Sequence, residues 1–180
     1  MIALTLALQV IQPTPVAAAS PFEAGSQAAQ ALDAAVQPVA PLPVQTVQDV
    51  LLEVCDDHGY ADKKAEDCAK HLLGMLWKES RNVANAVGDH GLALGYFQIH
   101  YKMHGVTREC ATDLRCSAGW TIDYLEKHSY PKYVKYAIQC HNGCDFDNGY
   151  ADSVLRNARR LWDQPMAVVQ PDFQMALAKN

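Results

Sequence analysis

Two acidic residues ten positions apart, Glu79 and Asp89, are candidates for acid–base chemistry. Glu79 follows Leu76 by three positions, so on a helix its side chain extends from the apolar stripe and not from the solvated face. Desolvation favours the protonated form of a carboxyl group, which is the form that donates a proton to a glycosidic oxygen. The alternative for Glu79 is a helix-end residue paired with Lys78 or Arg81.

Asp89 lies in the segment Gly88–Gly91, where glycine allows a ligand to approach the backbone closely. Glu79 and Asp89 could then flank one scissile bond. Glycoside hydrolysis usually requires such a pair of carboxyl groups, one protonated and one ionised. An aspartate between glycines is also a common turn residue, so a conformational role for Asp89 is the alternative.

Four short motifs follow one another along the chain: Glu79-Ser80, Gly88-Asp89-x-Gly91, Gly95-Tyr96-Phe97-Gln98-Ile99 and His141-Asn142-Gly143. Their order and spacing resemble the lysozyme-like superfamily over about residues 72–161. The first, third and fourth motifs resemble those of soluble lytic transglycosylase domains, and the second is similar to goose-type lysozymes. The third and fourth, with Cys110 and Cys116 between them, are most similar to invertebrate-type lysozymes.

The resemblance implies a mainly α, lysozyme-like fold with a small β-hairpin (class α+β), and a substrate cleft between the helices and the hairpin. It implies that Glu79 is the general acid and that Asp89 is the nucleophile or an electrostatic, water-positioning partner. The substrate contacts that it implies come from the side chains or backbone of Ser80, Tyr96, Phe97, Gln98, Ile99, His141 and Asn142. Aromatic and amide groups suit sugars, which present apolar faces and many hydroxyl groups.

The function implied is that of a muramidase, a hydrolase that cleaves the β-1,4 bond between N-acetylmuramic acid and N-acetylglucosamine in the glycan strands of peptidoglycan, without a metal or organic cofactor. A lytic transglycosylase is the closest alternative, because there the sugar's own hydroxyl attacks, a 1,6-anhydro product forms and no second carboxylate is needed. The third alternative is a non-catalytic wall-binding protein or an accessory protein that opens the wall for a secretion machine. A pure binding protein has no need of a carboxylate on an apolar stripe, so the presence of Glu79 counts against this third alternative.

Helical periodicity indicates the elements that position these motifs. It predicts a helix from the N-cap Thr46 to Gly59, a second helix over 62–80, loop and short hairpin over 88–99, and helices over 117–128, 132–140 and 148–162. Tyr150 lies on the apolar face of the last helix. Four further aromatic residues on helical patterns are predicted to belong to the core: Trp77, Trp120, Tyr124 and Trp162. Of these, Trp120 and Tyr124 could reach the cleft. Tyr130, Tyr133 and Tyr136 are candidates for contact with the wall.

The N-terminal region indicates export. No charged residue precedes Glu23, and the apolar run from Ile2 to Ile11 is too short to span a bilayer but suits a signal-peptide core. We therefore expect a signal peptide over 1–19, a secreted or periplasmic location and no stable membrane insertion. The absence of a basic residue after Met1 leaves a wrongly assigned start or a disordered apolar tail as the alternative. Residues 20–45 are an Ala/Pro/Gln-rich linker, 46–164 the catalytic domain and 165–180 a tail.

All six cysteines lie after the linker, and an even number in a small exported domain indicates disulfides. We expect local pairing, Cys110 with Cys116, Cys140 with Cys144 and Cys55 with Cys68. The alternative is a metal site, because His141 lies between two cysteines and His100 and His104 have helical spacing. The sequence contains neither Cys-x-x-Cys nor His-Glu-x-x-His, which disfavours a metal.

Net charge excludes one class of partner. The 180 residues carry a formal charge of -5, and Arg156, Arg159 and Arg160 form the densest basic cluster, so we expect no nucleic-acid binding. An acidic surface also gains nothing from general attraction to an anionic cell wall. Binding to the wall would therefore depend on a shaped groove.

Overall fold

The computed structural model describes residues 45–168. The predicted signal peptide, all but the last residue of the linker, and the tail beyond Val168 lie outside the described residues. Within them, seven helices and one small antiparallel sheet confirm a mainly helical α+β class. No helix in this part of the chain is both long and apolar enough to cross a membrane.

The helices are α1 Val47–Asp57, α2 Asp62–Glu79, α3 Tyr101–His104, α4 Arg108–Thr112, α5 Leu114–Lys127, α6 Val134–Asn142 and α7 Tyr150–Leu161. The strands are β1 Val87–Gly88, β2 Ala93–Leu94 and β3 Ile99–His100, in spatial order β1-β2-β3, with a short 3₁₀ turn at Asp89–Gly91. The five longer helices and the hairpin confirm the predictions from periodicity. The short helices α3 and α4 were not predicted.

Side-chain caps set the first residues of three helices, among them α4, which is capped by Thr107. Thr46 Oγ1 accepts a hydrogen bond from the backbone N–H of Asp49, and the Asp49 carboxylate accepts one from the N–H of Thr46, which confirms Thr46 as the N-cap of α1. Asp113 Oδ1 accepts from the N–H of Cys116 at 2.7 Å. Because Asp113 caps α5, that helix begins at Leu114, three residues before the predicted start.

Helix α2 lies at the centre of the fold and packs against α1 and α7. Its core-facing side chains, among them Leu72, Leu73 and Leu76, are fully buried. At Gly74 the backbones approach closely, because a Cβ there would lie 2.3 Å from the carbonyl oxygen of Val154 on α7. The end of α2, which carries Glu79, is thus fixed against the helix that begins at Tyr150.

Three disulfides join the pairs that local spacing predicted. Cys55–Cys68 connects α1 with α2, Cys110–Cys116 connects α4 with α5, and Cys140–Cys144 closes the turn after α6. All six cysteines of the chain are therefore oxidised.

The described part of the tail pairs with the start of the domain. The N–H of Val47 donates to the carbonyl of Met166 at 2.8 Å, and Thr46 forms an antiparallel bridge with Ala167. Asn82 Nδ2 donates to the Ala167 carbonyl at 3.0 Å. The segment after α7 thus contacts both α1 and the loop that follows α2.

The aromatic residues predicted to belong to the core are half-buried. Trp77, Trp120 and Trp162 pack against the core, and the Tyr124 hydroxyl donates to the carbonyl of Cys140 at 3.0 Å. The three tyrosines proposed as wall contacts differ in burial. Tyr130 is buried, whereas the side chains of Tyr133 and Tyr136 are exposed.

Candidate active site

Glu79 is the last residue of α2, and its side chain is half-buried. The hydroxyl of Tyr150, the first residue of α7, donates a short hydrogen bond to Glu79 Oε1. Burial first, and then the adjacent Glu79 carboxylate, raise the pKa of Tyr150 well above its usual value, so this hydroxyl remains a donor. Among the described residues Glu79 forms no ion pair with Lys78 or Arg81, and the Arg81 guanidinium lies over the Trp77 ring.

His141, near the end of α6, extends this contact. Its Nε2 lies 2.9 Å from the carbonyl oxygen of Phe97, and because a carbonyl only accepts, Nε2 carries the hydrogen. Its ring stacks on that of Tyr150 with centroids 6.5 Å apart. We call Glu79, Tyr150, His141 and the backbone of Phe97 the Glu79 cluster. Residues far apart in the sequence thus form one continuous series of contacts.

Gln98 holds the hairpin in shape. Its Nε2 donates to the carbonyls of Ala86 and Gly95, both at 3.1 Å. A Cβ at Gly88 would lie 2.2 Å from Gln98 Oε1, so the amide needs glycine there. The other side chains of this motif are buried, which leaves their backbone for any ligand: Tyr96, Phe97 and Ile99.

Asp89 is placed in the turn after β1, with its own φ at +44° and that of His90 at +53°. This backbone fits the turn role that was the alternative for Asp89. Its carboxylate is 49% exposed and lies 3.2 Å from His100 Nε2 on β3. Among the described residues no hydrogen bond or ion pair joins Asp89 to Glu79.

An aromatic row leads away from Glu79. It consists of Tyr150, His141, Tyr124, Trp120 and His104. His141 meets Tyr124 edge-on at 5.9 Å, Tyr124 stacks on Trp120 at 5.4 Å, and His104 lies 5.0 Å from Trp120. These spacings are typical of interacting rings. The row therefore joins the end of α2 to the short helix α3.

Electrostatic coupling links His104 of the aromatic row to His100 of the hairpin. Burial lowers the pKa of His104, and positive charge on His100 and on His141 lowers it further. His104 is thus influenced both by the histidine that pairs with Asp89 and by the histidine of the Glu79 cluster.

Two other predicted site residues differ in their surroundings. Ser80 is buried, and its hydroxyl donates to the carbonyl of Leu76 at 3.2 Å. Asn142 is exposed at the end of α6, and its amide has no hydrogen-bond partner among the described residues. The bond from Ser80 stabilises the end of α2, whereas the amide of Asn142 is open to a ligand.

Tyr150 and His100 are the contact residues that sequence reasoning missed. Periodicity placed Tyr150 on the apolar face of α7 and so assigned it to the core. The available signal was chemical, because a buried tyrosine hydroxyl and a glutamate on an apolar stripe each need a polar partner. His100 was considered as a metal ligand and not as a partner of Asp89, from which it lies 3.2 Å away.

One group of side chains in residues 45–168 has the spacing of a metal site. Donor atoms of His128, Cys140 and Cys144 lie within 4.8 Å of one another. Both sulfurs belong to the Cys140–Cys144 disulfide. Metals bind thiolates, so this group cannot act as a three-ligand site in the oxidised protein.

Comparisons of the chain with protein-family models, with curated proteins and with solved structures gave no match. The assignment of a function therefore depends on the chemistry of the Glu79 cluster and its surroundings.

Proposed function

We propose that this protein is a glycosidase that cleaves the β-1,4 bond of peptidoglycan glycan strands between N-acetylmuramic acid and N-acetylglucosamine. The observation that carries the proposal is the half-buried carboxyl of Glu79, held by the Tyr150 hydroxyl at one end of the aromatic row. Three disulfides support a location in the cell envelope or outside the cell.

Glu79 is proposed to donate its proton to the glycosidic oxygen while the bond to the leaving sugar breaks. Tyr150 engages Oε1, and Oε2 has no hydrogen-bond partner among the described residues, so Oε2 can face the substrate. After proton transfer the carboxylate is stabilised by the hydrogen bond from Tyr150. The half-buried rings of Tyr124 and Trp120 suit the apolar faces of sugar rings.

The second half of the reaction distinguishes two candidates. In hydrolysis, Asp89 would position water or stabilise the oxocarbenium-like state, and its exposed carboxylate supports this role. In a lytic transglycosylase the 6-hydroxyl of the muramic acid attacks, and no second carboxylate is needed. We keep hydrolysis as the proposed reaction because Asp89 remains accessible.

The acid is tested by Glu79→Gln, which keeps the shape of the side chain but cannot donate its proton. We expect the rate at which purified cell walls lose turbidity to fall at least about a hundredfold. Glu109→Gln makes the same change on an exposed glutamate of α4 and serves as the matched control. Clearing at the native rate by Glu79→Gln would show that Glu79 is not the acid.

Mass spectrometry of the released fragments separates the candidate reactions. Reducing ends identify hydrolysis, and 1,6-anhydro ends identify a transglycosylase. A native chain that sediments with walls without ever clearing them would instead support the non-catalytic binding protein.

A further inference from the structure

A cavity, which we call the α6 cavity, lies beside α6 and shares no lining residue with the Glu79 cluster. Its volume of about 670 Å³ falls within the range of about 300–1,000 Å³ typical of small-ligand sites. The side chains that decide its chemistry are three aromatic and three charged residues: Tyr133, Tyr136, Phe146, Lys135, Asp145 and Asp147.

The aromatic side chains of the α6 cavity are unusual in their exposure. Tyr133 is 54% exposed, Tyr136 50% and Phe146 54%, and no other Phe, Tyr or Trp in residues 45–168 is classed as exposed. Stacking contacts among the three rings are absent in this part of the chain. The rings therefore surround a space and do not cover one another, as they would in a small hydrophobic cluster.

The loop 143–149 holds Phe146 in its exposed position. The Cys140–Cys144 disulfide fixes the start of the loop, and Gln139 Nε2 donates to the carbonyl of Gly143 at 3.4 Å. A Cβ at Gly143 would lie 2.7 Å from the Phe146 ring, so this ring rests directly on bare backbone. The φ of Gly143, +138°, also favours glycine. The half-exposed ring is thus preorganised.

The charges of the cavity disfavour an anionic ligand. Lys135 Nζ lies 3.0 Å from a carboxylate oxygen of Asp152 and 3.7 Å from one of Asp147, so its charge is balanced. Asp145 is exposed and has no partner among the described residues. A neutral ligand rich in hydroxyl groups would donate to Asp145 while its apolar faces stack on the rings.

We propose that the α6 cavity is an accessory site for a glycan, binding a β-1,4-linked N-acetylhexosamine segment away from the bond that is cleaved. This inference rests on the proposed function for its choice of glycan. The position of the cavity supports it, because Asp147 on its wall precedes Tyr150 by only three residues. Their Cα atoms are therefore at most about 11 Å apart. A strand that reaches the Glu79 cluster would pass close to the cavity.

The test measures binding without turnover. The full chain carrying Glu79→Gln is titrated with the hexamer of N-acetylglucosamine by calorimetry, alone and with Tyr136→Ala or Phe146→Ala added. Each loss of a ring is expected to weaken binding about three- to tenfold. Tyr136→Phe and Phe146→Tyr keep a ring and are the matched controls, with affinities expected within about twofold of the parent. Tyr133 is left unchanged because Lys132 already lies over its ring.

Amide chemical shifts of the Glu79→Gln chain with all three rings intact provide a second measurement that does not depend on how the ring variants fold. The hexamer should shift the amides of residues 143–147. No shift there, or unchanged affinity in both alanine variants, would overturn the inference. Binding of tetramethylammonium to these residues in place of the hexamer would identify a cation site and overturn it as well.

The outcomes of this test are separate from those of the proposed function. A native chain that never clears walls, but whose α6 cavity binds the hexamer, would refute the catalytic proposal and leave the accessory site standing. A native chain that clears walls, but whose ring variants bind the hexamer as tightly as the parent, would refute the accessory site and leave the catalytic proposal standing.

Discussion

The hydrogen bond between Tyr150 and Glu79 joins the first residue of α7 to the last residue of α2. Replacing Tyr150 by Phe removes the hydroxyl and keeps the ring that stacks on His141. A hydrogen bond to a charged group is worth about 1.5–3 kcal/mol. If Tyr150 orients the acid, we expect kcat for wall cleavage to fall about 10- to 100-fold with KM little changed.

The control for this substitution is Tyr60→Phe. Tyr60 also donates to a carboxylate, that of Glu126, but at a position outside the Glu79 cluster. We expect Tyr60→Phe to retain native kcat. If Tyr150→Phe changes only the melting temperature and leaves kcat at the native value, the hydroxyl has a structural role and does not position the acid.

For individual residues, the sequence indicates which of the candidate site residues lie near one another better than it indicates the contacts between them. Glu79, His141 and the segment around Phe97 lie in motifs whose order suggested a common site, and the structure places them in one series of contacts. The link through Tyr150 crosses 71 positions of the chain. Periodicity gives the face on which a residue lies but not the distant side chain that meets it. Asp89 shows the same limit, since its partner His100 is set by strand pairing.

The contact between α2 and α7 determines whether Glu79 and Tyr150 meet. Gly74 lies at the closest point, where a Cβ would be 2.3 Å from a backbone oxygen of Val154 that cannot move without shifting α7. In a free helix, alanine is preferred over glycine by about 1 kcal/mol. We expect the clash to outweigh this preference, so that Gly74→Ala lowers the free energy of unfolding by about 1–3 kcal/mol.

A matched control exists on α5. A Cβ at Gly119 would lie 3.4 Å from the ring of His58, an ordinary contact distance. Gly119→Ala is therefore expected to be neutral or to stabilise the protein by up to about 1 kcal/mol. Urea denaturation measures both variants. Equal urea denaturation midpoints for Gly74→Ala and Gly119→Ala would contradict the prediction, because they would mean that α2 and α7 can move apart without loss of stability.

Elements with several turns of clear periodicity were predicted, and those without were not. Helix α2 has a continuous apolar stripe from Ala65 to Leu76, and its predicted range differs from the observed one by a single residue. Helices α3 and α4 have four and five residues, too few for a period to register. The start of α5 depended on the cap at Asp113, because a cap acts through one side chain and not through a repeating pattern.

For the whole molecule, one half-buried histidine couples stability to pH. The ring of His71 on α2 meets that of Tyr130 edge-on with centroids 5.9 Å apart, and its Nδ1 hydrogen bonds with the Tyr130 hydroxyl at 2.9 Å. Burial lowers the pKa of His71 below its usual value of 6.5, only partly opposed by Asp67. The neutral ring is therefore the form that the folded protein accommodates.

The sign of the effect follows from where the proton binds. The unfolded chain takes up a proton at His71 near pH 6.5, whereas the folded protein does so only at a lower pH. Stability from the neutral ring is thus complete above pH 6.5 and is lost as the pH falls from there through the folded pKa. One proton changes the free energy of unfolding by at most about 1.4 kcal/mol per pH unit.

Urea denaturation between pH 7.5 and pH 5 tests this coupling, with native protein and His71→Gln compared at each pH. Glutamine keeps polar atoms near Tyr130 but does not titrate, so the difference in free energy of unfolding between the two proteins should shrink as the pH falls below 6.5. Other titrating groups are common to both proteins and cancel in the comparison. A difference that stays constant over this range would mean that His71 titrates alike in the folded and unfolded chains. A difference that shrinks would mean that the packing of α2 against Tyr130 is weakest under acidic conditions.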